Sequence, residues 1–212
     1  MIDKVARAER RRSLAEDALN IPNLLTMARV VMIPIFLWFL DQDTPKACFY
    51  AALLYTAAAL TDALDGYLAR KLGVVSVLGK FLDPLADKLI VMAGLVWMVP
   101  MGRIQAWVVV VLLSREMAVN GLRSIAASEG VVIPAGDDGK IKTALQMIGI
   151  IALVIGYPYR LVYGAVDLGI IDMQRVGRAW IYLSLVFSVA SAAQYARLFA
   201  EAVDAKDRKR SG

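Results

Sequence analysis

Apolar and polar positions along this chain alternate on the scale of whole helices. The clearest apolar cores are Val30–Leu40, Ala47–Thr61, Leu89–Met101, Ile104–Leu113, Thr143–Tyr159 and Ala179–Ala196. About 20 residues of helix are needed to cross the hydrocarbon of a bilayer. Only the last two stretches approach that length without a charge; the others reach it by including charged residues at one end. The pattern predicts six helices, over 22–41, 46–70, 80–101, 103–128, 140–163 and 177–200, with a very short turn between the third and fourth around Pro100–Arg103. No strand-period alternation competes with this reading. The expected fold class is all-α integral membrane, with six transmembrane helices in a catalytic domain over 21–200.

Residues 1–20 are polar and mixed in sign, with Lys4, Arg7, Arg10, Arg11 and Arg12 set against Asp3, Glu9, Glu16 and Asp17. They lack the apolar core of a signal peptide, and the acids argue against a transit peptide. Ile2, Val5, Leu14 and Leu19 suit an amphipathic juxtamembrane helix on the membrane surface; a plain disordered arm fits them equally. Residues 201–212 read as a basic cytoplasmic tail.

Composition strengthens the membrane reading. The 212 residues are 59% hydrophobic, with a mean hydropathy of +0.59, where a soluble domain runs nearer 45–50% apolar. Histidine is absent, which removes the commonest general base and zinc ligand, and with them Ser-His-Asp hydrolysis and histidine proton relays. A single cysteine, Cys48, excludes an internal disulfide and any cysteine-cluster metal site. Carboxylates, Lys/Arg, Ser/Thr and backbone remain for polar chemistry.

The net charge of +5 points to cytoplasmic loops and anionic lipid rather than to nucleic acid. With both termini inside, the inner segments hold fifteen Lys and Arg residues, against five outside (Lys46, Arg103, Arg160, Arg175 and Arg178). The positive-inside bias therefore places both termini in the cytoplasm.

Ionisable residues within spanning helices are expensive and default to function. They are Arg29, Asp62, Asp65, Asp83, Asp87, Lys88, Arg115, Glu116 and Arg123. With this topology every one falls in the cytoplasmic half, and the outer half is apolar. A polar cavity open only to the cytoplasm suits an enzyme at the inner leaflet. A divalent-cation transporter, the rival from another class, would need polar groups continuing across the other half.

The acids have their own spacing. Asp62 and Asp65 lie about 60° apart on one helix face, and Asp83 and Asp87 about 40° apart on the next. Two antiparallel helices can aim all four carboxylates at one point, where their mutual repulsion calls for a positive partner. Hard oxygen donors with no histidine or cysteine select Mg²⁺ or Mn²⁺. Four of them suit a pair of ions that clamp a transferring phosphoryl group. Gly66 and Gly79 leave room for close approach of a ligand or backbone, and Ala69 does the same one turn on. The bland alternative is a salt-bridge cluster with Arg70, Lys71, Lys80 and Lys88.

The full pattern, D-x2-D-G-x2-A-R-x8-G-x3-D-x3-D from Asp62 to Asp87, resembles the signature of the CDP-alcohol phosphatidyltransferases. Three further segments resemble the bacterial phosphatidylglycerophosphate synthase branch of that family: Ile21–Arg29, Ser114-Arg115-Glu116 with Leu122-Arg123, and Gly139–Met147. The likeness covers the first five helices, and the sixth carries only a general one. It implies six transmembrane helices behind a surface helix, usually in a homodimer, in the bacterial cytoplasmic membrane. It also implies the reaction. An alcohol, for this branch sn-glycerol 3-phosphate, attacks CDP-diacylglycerol, and CMP leaves.

By that resemblance Asp62, Asp65, Asp83 and Asp87 hold two Mg²⁺ or Mn²⁺ ions, and Asp87 is also the candidate general base. Asn23, Thr26, Asp62, Gly66, Ala69, Arg70 and Gly79 border the CDP group, although Thr26 fits a helix cap as well. The acceptor argument rests partly on charge alone. Glycerol 3-phosphate is a dianion, and Arg115, Arg123, Lys140 and Lys142 are the nearest cations on the fourth and fifth helices. Arg115 and Arg123 lie about two turns apart on one face. Glu116 is expected to orient Arg115. Snorkelling to lipid headgroups is the alternative for these cations. The closest rival function is a CDP-diacylglycerol-dependent cardiolipin synthase, which would keep the acidic motif and change the acceptor pocket.

Overall fold

The computed structural model describes residues 21–72, 77–128, 137–163 and 166–211. The expected surface helix at 1–20 lies outside the described residues. Six helices and one β-hairpin fill what is described: α1 (Ile21–Asp41), α2 (Pro45–Leu72), α3 (Val77–Met98), α4 (Ala106–Ser128), α5 (Asp137–Ile155), β1 (Pro158–Tyr163), β2 (Val166–Asp172) and α6 (Met173–Ser211). They fall into two units, Met1–Trp97 and Met98–Gly212.

In the first unit α1 and α2 form an antiparallel pair. Thr44 caps α2, accepting on its hydroxyl from the amide of Ala47 at 3.2 Å, and Pro45 takes the first helical position, where its missing N–H costs nothing. Phe36 meets Tyr55 and Phe39 meets Tyr50, with ring centroids 6.0 and 5.7 Å apart. Going forward on α1 thus means going back on α2. The buried face of α2 is built from Ala47, Cys48, Ala51, Ala52, Tyr55 and Ala58, whereas Phe49, Tyr50, Leu53 and Leu60 stand exposed. Small residues inside and large apolar residues outside reverse the order of a water-soluble bundle. The arrangement suits helices that pack closely and face lipid. Gly94 of α3 follows the same rule, since a Cβ there would come within 3.2 Å of the Phe36 ring.

In the second unit α5 and α6 run antiparallel and meet at glycines. A Cβ on Gly149 would lie 2.9 Å from Ile181, and one on Gly177 would lie 2.7 to 2.9 Å from Leu153 and the Gly149 carbonyl. The helix α4 runs parallel to α6. Trp107 stacks on Tyr182 at 6.3 Å, Arg115 reaches Ser188 and Ser191, and Arg123 lies over Tyr195. Consecutive helices of this unit therefore alternate in direction, as successive spans must. Several hydroxyls within the helices return to their own backbone, among them Thr56 to Ala52 at 2.8 Å and Ser184 to Ile181 at 2.8 Å, which satisfies them in apolar surroundings. Among the described residues Met173–Val203 is long and apolar enough to cross a membrane, and Lys88–Met98 and Ile141–Ile155 are shorter apolar stretches.

Three expectations need correction. The fifth helix does not continue to residue 163. It stops at Ile155, because Gly156 turns into the left-handed region (φ 66°) and Pro158 cannot carry the ladder on. Strands do occur: β1 pairs antiparallel with β2, with an irregularity between Arg160 and Val162. The sixth helix is longer than 177–200. Asp172 starts it by accepting from the amides of Gln174 (3.0 Å) and Arg175 (3.2 Å). After Gly177 no glycine or proline occurs before Ser211, so the basic tail continues as helix. The turn between α3 and α4 spans 99–105 and turns on Gly102 (φ 67°).

Candidate active site

The acidic motif is carried by α2 and α3. Asp62, Asp65, Gly66, Ala69 and Arg70 belong to the last three turns of α2, and Gly79, Asp83 and Asp87 to the first three of α3. Their side chains, with those of Asn23 and Lys140, lie outside the described residues. The donor set nevertheless fits a hard divalent cation by its chemistry: the chain offers carboxylates and no histidine, and its one thiol, Cys48, is buried in the α1–α2 core. Thr26 and Arg29 are both fully enclosed, at 0% and 2% exposure. Thr26 lies in the second turn of α1, so it is not an N-cap, and that alternative falls away.

The basic set is described in part, and it is gathered by α4, α5 and α6. Arg115 is the hub. Its Nε donates to the Ser188 carbonyl at 2.8 Å, one terminal nitrogen to Glu116 at 3.2 Å, and the other to the Ser191 hydroxyl at 3.1 Å. Lys142 of α5, 6% exposed, donates to the same Glu116 oxygen. The structure thus brings Arg115 and Lys142 together on one carboxylate. Two cations withdrawn from solvent this far need a counter-charge, and Glu116 supplies a single one. Arg123 is not in that cluster. It lies two turns further along α4, its guanidinium 5.8 Å from the Tyr195 ring centroid.

Glu116 was expected to orient Arg115, and the ion pair between them is present; its second partner, Lys142, was not foreseen. The contribution of α6 was missed altogether. Its signal was legible as Ser184, Ser188, Ser191 and Tyr195, a polar stripe at helical spacing in an otherwise apolar segment.

The CDP-alcohol phosphatidyltransferase family profile matches residues 19–194, which takes in the acidic motif, the basic cluster and most of α6. The chain belongs to the CDP-alcohol phosphatidyltransferase family. Among named relatives, the CDP-diacylglycerol–glycerol-3-phosphate 3-phosphatidyltransferase of Bacillus subtilis (strain 168) is 44% identical over 156 residues, covering 68% of this chain and 81% of its own. Proteins of the same name from Rickettsia bellii and Rickettsia felis are 39% and 31% identical over 137 and 176 residues. They cover 65% and 83% of this chain, and 76% and 93% of their own. In a CDP-alcohol phosphatidyltransferase the acidic motif on α2 and α3 is the family signature, while Arg115, Glu116 and Lys142 lie on helices beyond it. The family match therefore fixes the reaction class more firmly than the acceptor.

Proposed function

We propose that this chain transfers the phosphatidyl group of CDP-diacylglycerol to sn-glycerol 3-phosphate, giving phosphatidylglycerophosphate and CMP. The observation that carries the choice of acceptor is the buried pairing of Arg115 and Lys142 on Glu116. Two cations held together on one carboxylate, largely withdrawn from solvent, suit a phosphorylated acceptor. A neutral alcohol would not need them. The names of the bacterial relatives support the same choice.

Six spans would hold this site in the cytoplasmic half of a bacterial inner membrane, with both termini inside and the chain working as a homodimer. Asp62, Asp65, Asp83 and Asp87 would hold two divalent ions, Mg²⁺ or Mn²⁺, whose charge would neutralise the pyrophosphate and acidify the attacking alcohol. Asn23, Thr26, Gly66, Ala69, Arg70 and Gly79 would border the cytidine diphosphate. Asp87 would accept the proton from the acceptor hydroxyl as its oxygen bonds to the phosphorus bearing diacylglycerol and the bond from that phosphorus to the CMP oxygen breaks. Arg115, Arg123, Lys140 and Lys142 would bind the acceptor phosphate, Arg by paired N–H groups and Lys as a point charge.

Acceptor profiling of the purified protein tests the reading. With CDP-diacylglycerol and Mg²⁺ or Mn²⁺, glycerol 3-phosphate is expected to release CMP. Release with phosphatidylglycerol and none with glycerol 3-phosphate would make the chain a cardiolipin synthase instead.

A further inference from the structure

Two hydroxyls on α6 stand apart from the rest of its polar stripe. Ser188 Oγ and Tyr195 OH are both buried and have no hydrogen-bond partner among the described residues. The residues themselves are 0% and 7% exposed. Neighbours on the same helix show that this is not how the segment disposes of its hydroxyls. Ser184, one turn earlier, bonds back to the Ile181 carbonyl. Ser191, between the two, accepts from Arg115. A phenol is too long to bond back to its own helix, so burying Tyr195 without a partner forfeits hydration with nothing local in return.

The position of that phenol is informative. Its ring lies under the guanidinium of Arg123, one of the cations assigned to the acceptor phosphate. A cation over the ring face is attracted by the ring quadrupole, which holds the phenol and Arg123 in register. Ser191, one turn before Tyr195 on the stripe, anchors Arg115, and Arg115 and Arg123 lie two turns apart on the side of α4 that meets α6. A buried O–H without an acceptor among the described residues, on a ring that lies against Arg123, has the chemistry to complete a site for an anionic oxygen.

The geometry points to Tyr195 as a specificity-determining residue: its hydroxyl donates a hydrogen bond to the phosphate of the bound acceptor, alongside Arg123. Ser191 is a positioning residue that fixes the plane of the Arg115 guanidinium. The inference rests on the acceptor reading above and extends it to a helix outside the signature motif. It makes α6 the third wall of the acceptor site, with α4 and α5 as the others.

The substitution Tyr195→Phe tests it, because the ring, its packing and the cation contact all survive and only the O–H is lost. In the full-length enzyme with CDP-diacylglycerol, the KM for glycerol 3-phosphate should rise about ten-fold, the scale of one hydrogen bond to a charged group. Inhibition by inorganic phosphate, competitive with the acceptor, should weaken by a similar factor. The KM for CDP-diacylglycerol and the melting temperature should hold, or the latter rise. Ser191→Ala should also raise the acceptor KM, and Ser191→Thr, which keeps the hydroxyl, should restore it. An unchanged acceptor KM or unchanged phosphate inhibition in Tyr195→Phe, with the wild type active, overturns the role of Tyr195 alone. A wild type that releases no CMP with glycerol 3-phosphate overturns the acceptor reading, and this inference with it.

Discussion

The guanidinium of Arg103 fills the space in which Gly156 would carry a side chain. A Cβ on Gly156 would come within 2.4 Å of one terminal nitrogen of Arg103 and 2.5 Å of its central carbon. From that position Arg103 donates to the carbonyls of Leu153 and Val154 at 2.8 and 2.5 Å. Those carbonyls close α5, where a helix leaves its last acceptors unsatisfied and its dipole negative. A residue in the α3–α4 turn thus caps a helix some 50 positions later in the chain.

Gly156→Ala should destabilise the protein by about 2 kcal/mol or more, since the new methyl meets Arg103 at a left-handed position that only glycine adopts freely. Thermal unfolding in detergent measures it. Arg103→Ala should cost a similar amount by leaving the end of α5 bare, and the double variant should fall short of the sum, because both act on one contact.

Gly177→Val should be worse tolerated than substitutions on the exposed side of α6. The added atoms would press on the backbone of Leu153 and Gly149, which cannot swing aside as a side chain can. A loss of about 1–3 kcal/mol is expected. Val186→Leu, at an exposed position, should leave the melting temperature in place.

Asp87→Asn should lower turnover by roughly 10²- to 10⁴-fold, the usual worth of a positioned base, while CDP-diacylglycerol still binds. Near-normal turnover would remove Asp87 from the chemistry. Chelation of divalent ions should abolish activity in the wild type, and Mg²⁺ or Mn²⁺ should restore it.

Arg115→Ala should raise the KM for glycerol 3-phosphate by about ten- to a hundred-fold and leave the KM for the lipid substrate almost unchanged. Equal effects on both would show that Arg115 serves mainly to join α4 to α6 through Ser188 and Ser191. Steady-state kinetics with each substrate varied in turn separates the two.

The hairpin carries the pH-dependent contact. Arg160 donates to Asp167 through Nε at 3.1 Å and a terminal nitrogen at 2.5 Å. That pairing, helped by the Gly169 amide, holds the Asp167 carboxyl below the usual carboxylate range. A lowered pKa means the contact is fully present above the ordinary aspartate pKa and is lost as pH falls through the depressed one. Carbon-detected titration of Asp167 should show a midpoint below that of a free aspartate, and Arg160→Gln should raise it toward the ordinary value.

Much of this was legible beforehand. The positions of α1 to α4 followed from apolar stretches of near-spanning length, and the acidic motif from its fixed spacing. The end of α5 was misplaced because Tyr159, Leu161 and Val162 are as apolar as the helix before them. Hydropathy cannot separate a strand from a helix there, whereas Gly156 and Pro158 could have marked the break. The α6 stripe was overlooked for a different reason. Serine and tyrosine cost little in an apolar helix, so they do not announce themselves as Asp62 or Arg115 do. Only the partner helix shows which hydroxyls are used. The pairing of Lys142 with Glu116 likewise needs three-dimensional contact across 26 positions of sequence.

Arg103 grips main-chain oxygens, and this sets it apart from the ion pair at the hairpin just beyond it. Peptide carbonyls do not titrate, and a guanidinium stays charged at any pH a cell meets. Acidification that opens the Arg160–Asp167 contact therefore has no proton to place on the cap of α5. The fastening of α5 by Arg103 is thus indifferent to acid, while the neighbouring hairpin registers it through Asp167.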